Sequence, residues 1–285
     1  MALRYAYNTN GCANHRLEDA LVLIAEAGYD GVALTVDWHH FDPFAPAFER
    51  RAEALARRLR ELGLGVVIET GARYLLDPRR KHEPTLVSPD PAGRARRVAF
   101  LKRCIDLCNI CGGETTSFWA GVVGPGVDAA EAWRWLHEGV HEVAEYARGQ
   151  AGPTREVALE PEPGMLVETI DDWKRLAADM RYGDALYLAL DAGHCLVTQE
   201  RDPAEAVREM SGWLGTVSIE DMKRGRHEHL PFGQGDMDVG SVLKALAEIG
   251  FARLVCVELS RESHRAHEAI PQAIAHLRNL ERSSL

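Results

Sequence analysis

The chain has 285 residues, with 33 Lys plus Arg against 43 Asp plus Glu and a formal charge of −10. That length suits one barrel or two small domains, and 46% hydrophobic with 27% charged residues excludes disorder as the main state. The acidic balance argues against a nucleic-acid or membrane-surface partner, because no overall positive field exists to neutralise phosphate. No run of roughly 18 apolar residues predicts a transmembrane helix. Met1 to Asn10 lacks a charged segment followed by an apolar run, so no secretory leader is expected. Six cysteines without framework spacing fit a reducing, cytoplasmic setting.

In chain order, the strand candidates are Leu3–Thr9, Gly31–Trp38, Gly65–Thr70, Glu114–Ala120, Glu156–Glu160, Leu186–Asp191, Gly215–Ile219 and Leu254–Leu259. They are rich in Val, Leu and Ile and alternate weakly, as buried parallel strands do. Helical patterns lie between and after them, at Leu17–Ala27, Phe48–Leu62, Pro91–Cys111, Ala129–Ala147, Ile170–Met180, Pro203–Trp213, Val239–Ile249 and His267–Leu280. Asp90-Pro91 and Asp202-Pro203 each put a capping carboxylate before a proline at the first helical position. Gly28, Gly63 and Gly250 each end a helical run before a strand, where a left-handed C-cap is needed.

Strand–helix alternation over this length predicts an α/β protein, a single (β/α)8 TIM barrel spanning residues 1–285. A doubly wound open sheet is the alternative, weakened because no Gly-x-Gly-x-x-Gly follows the first strand. The segment 74–90 is polar and proline-containing, long for a βα loop, and is expected to cover the barrel mouth as a lid.

Residues at the C-terminal ends of barrel strands share one mouth. Here those ends carry Glu69, Glu160 and Glu162, Asp191 with His194, Ser218 with Glu220, and Glu258. Converging carboxylates repel and raise one another's pKa, and a divalent cation relieves that cost. Carboxylates with imidazoles suit Mn, Mg, Co or Zn. His227 and His229, on the stretch after the seventh strand, add to the histidine supply.

The strings Leu190-Asp191-Ala-Gly-His194, His229-Leu-Pro-Phe-Gly233-Gln-Gly235-Asp-Met-Asp238 and Cys256-Val-Glu258 resemble the xylose isomerase-like TIM-barrel superfamily. That group includes ketose 3-epimerases, hydroxypyruvate isomerases, inosose dehydratases and, more distantly, AP endonucleases. The resemblance implies one divalent metal held by Glu160, Asp191, a strand-seven residue and Glu258. Ser218 stands where the family places its strand-seven His, so the fourth ligand is open between Glu220, His229 and His194. Arg224 falls where epimerases place a substrate-binding arginine. A second metal near His194, His227 and His229 is the endonuclease-like variant. There Asp gives way to His227, and Glu69 stands near the expected strand-three His.

The implied reaction is isomerisation or epimerisation of a small sugar, cyclitol or hydroxy-ketone through an enediolate. Glu160 and Glu258 exchange the proton, in an order left open. His194, Arg224, Glu162, Trp119, His227 and Glu69 are the expected substrate contacts. A polyol or ketose is the expected partner. Loss of a neighbouring hydroxyl would make the same site a dehydratase of the inosose dehydratase type, and a degenerate site would bind a sugar without turnover. Trp38 and Trp119 are candidates for the pocket wall or for the core.

Cys104-x3-Cys108-x2-Cys111 matches the spacing of a radical SAM cluster, but the positions i, i+4 and i+7 also make the buried stripe of a helix. A homo-oligomer is implied by the resemblance. The only sequence hint of an interface is Trp133-Arg-Trp135, of which one tryptophan is expected in the core.

Overall fold

The computed structural model of the protein describes residues 2–154, 156–178 and 184–284. Eight parallel strands close a barrel: β1 (Arg4–Asn8), β2 (Gly31–Thr35), β3 (Gly65–Glu69), β4 (Thr116–Trp119), β5 (Val157–Glu160), β6 (Leu186–Asp191), β7 (Leu214–Ile219) and β10 (Leu254–Val257). They follow one another around the ring in chain order, and β10 closes it against β1 through Arg4↔Leu254 to Tyr7↔Val257. An antiparallel hairpin, β8 (Asp221–Lys223) with β9 (Arg226–Leu230), rises from the end of β7. This is the single α/β barrel expected, not the open sheet.

The helices are α1 (Leu17–Glu26), α2 (Phe48–Leu62), α3 (Pro91–Cys111), α4 (Ala129–Arg148), α5 (Ile170–Ala177), α6 (Ala192–Thr198), α7 (Pro203–Glu209), α8 (Val239–Glu248) and α9 (Ala266–Ser284). Asp90 caps α3 by accepting from the Ala92 and Gly93 amides, and Asp202 caps α7 through Ala204 and Glu205. Gly28, Gly63 and Gly250 all have the positive φ that ends a helix without steric penalty. Met180, expected at the end of α5, lies outside the described residues. Helix α6 and the hairpin are additions to the sequence reading, and the helix expected over 203–213 stops at Glu209.

The strand period of two sorts each strand between two cores. Ala6, Ala33, Val67, Leu254 and Cys256 pack together inside the barrel. Their alternating neighbours, Tyr5, Tyr7, Val32, Leu34, Val66, Ile68, Val255 and Val257, join the larger core under the helices. Two residues further along the inward face, each strand meets the mouth: Val67 leads to Glu69, Ala158 to Glu160, Ala189 to Asp191, and Cys256 to Glu258. The register levels these positions around the ring. Glu69 pairs with Ser117, Trp119 with Glu160, and Asp191 with Ser218.

Trp133 and Trp135 are both buried, Trp133 beneath the Arg175 guanidinium at 4.1 Å and Trp135 beneath that of Arg94 at 4.2 Å. The expectation that only one is core is corrected, because an arginine covers each ring. Trp38 is 70% exposed and lies outside the central cavity, so it is neither wall nor core. No helix among the described residues is long and apolar enough to cross a membrane.

Cys104 and Cys108 sit fully buried within α3, as the helical-stripe reading requires. Burial pushes the Cys104 thiol well above its ordinary pKa and that of Cys108 up to about 12, so the thiolate form is suppressed. A thiol reagent should therefore label both no faster than the chain unfolds, and the purified protein should lack iron–sulfur absorbance. Rapid labelling of Cys104 or Cys108 in native buffer would contradict this packing.

Candidate metal centre

The mouth holds a cavity of about 570 Å³, within the size range of small-molecule sites. Its lining includes Glu69, Trp119, Glu160, Glu162, His194, His227, His229 and Glu258. Asp191 and Glu220 lie beneath that lining, 2% and 0% exposed. Three groups of donors each fall within 4.8 Å of one another: Glu160–Asp191–His194, Asp191–Glu220–His229 and His194–His227–His229. Glu258 joins them through His229, whose Nε2 is 3.9 Å from Glu258 Oε1.

Local chemistry aims these side chains. Asp191 ends β6 and caps α6: its Oδ1 accepts from the Gly193 and His194 amides, while its buried Oδ2 has no hydrogen-bond partner. The cap uses one oxygen and leaves the other for the site. His194 lies in the first turn of that helix. Its Nδ1 is 3.0 Å from the Pro161 carbonyl, which can only accept, so Nδ1 carries the hydrogen. In the neutral ring Nε2 then holds the lone pair, and it stands 3.2 Å from His227 Nε2 and 3.5 Å from Asp191 Oδ2. A backbone carbonyl setting the tautomer in this way is the usual support of a metal-binding imidazole.

Glu220 is the strongest anomaly. Both of its oxygens and Nδ1 of His229 are buried without hydrogen-bond partners, and they lie 3.9 Å apart at their closest. A Cβ on Gly193 would stand 2.2 Å from Glu220 Oε1, so this glycine is what admits the carboxylate beside α6. On the other side, Asn10 donates to Glu258 Oε1 at 2.8 Å and Asn8 to its Oε2 at 3.5 Å.

The carboxylates raise one another. Burial, then Glu162 and Glu69, drive the Glu160 carboxyl well above its ordinary range, and burial with Glu258 lifts that of Glu69 to about 8. Burial followed by Asp191 pushes Glu220 the same way. Burial opposes charge on His229 too, but Glu258, Glu220 and Asp191 outweigh it and lift the imidazole to about 10. His227 moves down to about 4 through burial and its neighbours His194 and His229. Such crowding is relieved by protons or by a divalent cation.

The residues fit the cation. Asp191 Oδ2, the Glu220 oxygens and His229 Nδ1 have no hydrogen-bond partner, and their nearest donor or acceptor neighbours at the site, 3.5–3.9 Å away, are too far for good hydrogen bonds. Donors that share an ion at bonds of about 2.0–2.2 Å lie roughly 3–4 Å from one another. Mixed carboxylate and imidazole donors suit Zn, Mn or Co.

All five expected metal ligands, Glu160, Asp191, Glu220, His229 and Glu258, are brought together here. So are the expected contacts Glu69, Trp119, Glu162, His194 and His227. Arg224 is not. It is exposed at the turn of the β8–β9 hairpin, before Gly225 at φ 67°, with its amide bound to Asp236. His227 and His229 lie on β9 rather than on a loop. Ser218 is buried between Asp191 and Cys256 in register.

The sequence reading passed over Asn10, Arg73, Lys81, His82 and Arg261, which also line the cavity. Asn8-Thr9-Asn10 was visible as a polar run at the end of a buried strand, and Arg79-Arg80-Lys81-His82 as a basic run in the long loop. That loop is anchored by Arg97, which is buried and has no carboxylate at ion-pair distance among the described residues. Its guanidinium donates to the carbonyls of Pro84 at 2.7 Å and His82 at 2.6 Å, and faces the Trp119 ring at 4.8 Å. His82 also contacts Trp119 edge-on. The segment expected as a lid is thus clamped along one wall of the cavity.

A closed (β/α)8 barrel with a carboxylate–imidazole cluster at its C-terminal mouth is the class these observations define. The profile of the xylose isomerase-like TIM barrel family matches residues 21–280, and the chain belongs to that family. No curated protein sequence matches it. Among solved structures it is similar to 3-keto-D-glucoside 4-epimerase from E. coli, at 15% identity and TM-score 0.78, covering 98% of this chain and 100% of that one. It is also similar to the IolI protein with a bound zinc atom, at 19% identity and TM-score 0.76 over 99% of each chain. An L-ribulose 3-epimerase gives 22% identity and TM-score 0.76, over 99% of this chain and 97% of that one. At these identities the likeness is one of fold.

The β9–α8 connection hangs on one side chain. Buried Asp221 accepts from the Gly233 and Gly235 amides through Oδ2, both at 2.8 Å, and from Met237 through Oδ1 at 3.0 Å. Asp221→Ala would strand those three N–H groups and should cost roughly 3 kcal/mol of stability in urea unfolding. A loss under about 1 kcal/mol would mean that something else holds the loop.

Proposed function

We propose that this chain is a divalent-metal-dependent isomerase or epimerase of a small ketose, cyclitol or related hydroxy-ketone. The observation that carries the reading is the set of buried, unpartnered donors, Asp191 Oδ2, the Glu220 carboxylate and His229 Nδ1, directly below a cavity lined by Glu160 and Glu258. Family membership and the epimerase names of its structural relatives support the same reading.

Asp191, His229 and Glu220 would hold the ion, with Glu160, Glu258 and His194 completing its surroundings. A divalent cation there supplies Lewis-acid chemistry, drawing electron density from a carbonyl and acidifying the adjacent C–H. The remaining work belongs to the side chains. Glu160 and Glu258 come from strands three places apart around the ring and face the cavity from different sides. One takes the proton from carbon and the other returns it, which inverts a centre or moves a carbonyl. Asn10 and Asn8 hold Glu258 in position for its part. Glu162 and His227, 3.8 Å apart, are placed to orient substrate hydroxyls, and Trp119 with His82 closes one wall. The three donor groups overlap through Asp191, His194 and His229, which leaves room for a second ion on the His227 side.

The test is metal analysis joined to isotope exchange. After chelation and reloading, the protein should retain about one divalent ion per chain, and Asp191→Asn or His229→Gln should weaken retention by at least about 100-fold. Incubated with a ketose in D2O, the loaded protein should place deuterium on the carbon beside the carbonyl. Glu160→Gln should abolish exchange while the circular dichroism spectrum stays native. Failure to retain any divalent ion would end the catalytic reading in favour of a sugar-binding barrel, and loss of water from the substrate would move it to a dehydratase.

A further inference from the structure

The cavity sets cations beside its carboxylates. The grouped metal-type donors come from β5, β6 and the stretch from the end of β7 through the hairpin. Arg73 and Lys81 enter from the connection after β3, just beyond Glu69, and Arg261 from the connection after β10, just beyond Glu258. A chain of net charge −10 has no general surplus of such groups to scatter around an acidic mouth.

The three cations are not equivalent. Arg261 is paired with Glu228 at 2.6 Å, so its charge is largely offset. Arg73 stands 4.0 Å from Asp37 and is steadied by the Asn10 carbonyl at 3.3 Å. Lys81 has no carboxylate partner among the described residues, although it lines the cavity. Its position is built rather than incidental. The next residue, His82, has a φ of 68°, a strained setting for a residue with a side chain. That setting is secured by His82 Nδ1 donating to the Gly71 carbonyl at 2.8 Å and by buried Arg97 donating to the His82 carbonyl at 2.6 Å. Strain, a buried guanidinium and a side-chain hydrogen bond all hold the one segment that presents Lys81 at the rim.

Resting on the proposed reaction, we infer that the substrate is a hydroxy-ketone bearing an oxyanion, a carboxylate or a phosphate, at the end remote from the reacting carbons. Lys81 is exposed at the rim, so its ammonium is free to meet an anion entering the cavity from solvent. An anionic substrate is repelled by Glu69, Glu160, Glu162 and Glu258 unless its charged end is drawn to the rim carried by the connection after β3, and that attraction fixes which end reaches the metal donors. Lys81 and Arg73 are then the specificity-determining residues.

Binding to the metal-reloaded protein is measured calorimetrically with three probes: D-ribulose, D-ribulose 5-phosphate and 5-keto-D-gluconate. At least one anionic probe should bind tenfold or more tighter than D-ribulose at low ionic strength, with the preference shrinking as salt rises. Which anion wins distinguishes phosphate from carboxylate. Lys81→Met should cut the ratio of anionic to neutral affinity at least fivefold, the Lys81→Met/Arg73→Met pair should bring it close to one, and Lys81→Arg should keep most of it. Equal or tighter binding of D-ribulose overturns the inference. So does the absence of binding by both anions, or a ratio unmoved by Lys81→Met. Metal retention and deuterium exchange are read on the unsubstituted protein. If those fail while the anion preference stands, the reaction assignment falls and the recognition site remains.

Discussion

Everything at the mouth of this barrel follows from like charge brought close and taken out of water. Six carboxylates, Glu69, Glu160, Glu162, Asp191, Glu220 and Glu258, converge on one end of one cylinder. An isolated buried carboxylate is already costly, and neighbours of the same sign raise the cost further. The fold tolerates the arrangement because the opposing terms are also local. Asp191 shares its charge with two amides at the start of α6, His229 sits between Glu220 and Glu258, and Asn10 holds Glu258. What these contacts leave over is Asp191 Oδ2, the Glu220 carboxylate and His229 Nδ1, buried without partners in a donor group that could hold a metal ion.

The scaffold supports that arrangement at a few unforgiving points. Gly193 and Gly235 are places where a single Cβ would strike a site carboxylate or its neighbour: 2.2 Å from Glu220 Oε1 in one case and 2.2 Å from Asp221 Oδ1 in the other. Gly193 lies in the first turn of α6 and Gly235 in the connection between β9 and α8. Asp221 itself touches nothing catalytic. It gathers the amides of the following loop, so β9, and with it His227 and His229, is tied back to the end of β7. A charge buried for this purpose is stable because every lone pair it offers to the loop is used.

The carboxylate ring was legible in the sequence because strand periodicity leaves no freedom: a residue two places beyond Ala158, Ala189 or Cys256 must point the same way. The hairpin and α6 were not legible. A seven-residue helix and a three-residue strand are too short for periodicity to register, and β9 is polar over its first four residues, so His227 and His229 read as loop residues. Arg224 was placed by the pattern of the family. The chain instead turns back at Gly225, and the turn throws that side chain outward. Arg97 was invisible for another reason. Arg96 and Arg97 are neighbours with the same chemistry, and only tertiary packing leaves one exposed and buries the other beneath the loop.

Ser218 takes its meaning from that geometry. It lies in register with Asp191 at the end of β6, and a hydroxyl is a weaker metal donor than a carboxylate or an imidazole. Glu220, two places further along the same face, and His229, on the returning strand of the hairpin, put a carboxylate and an imidazole beside Asp191 instead. His194 and His227 flank that group, and Arg73 and Lys81 reach the same cavity from the connection after β3. Carboxylates, imidazoles and cations from separate connections thus meet in one cavity because the closed ring brings every strand end to the same level.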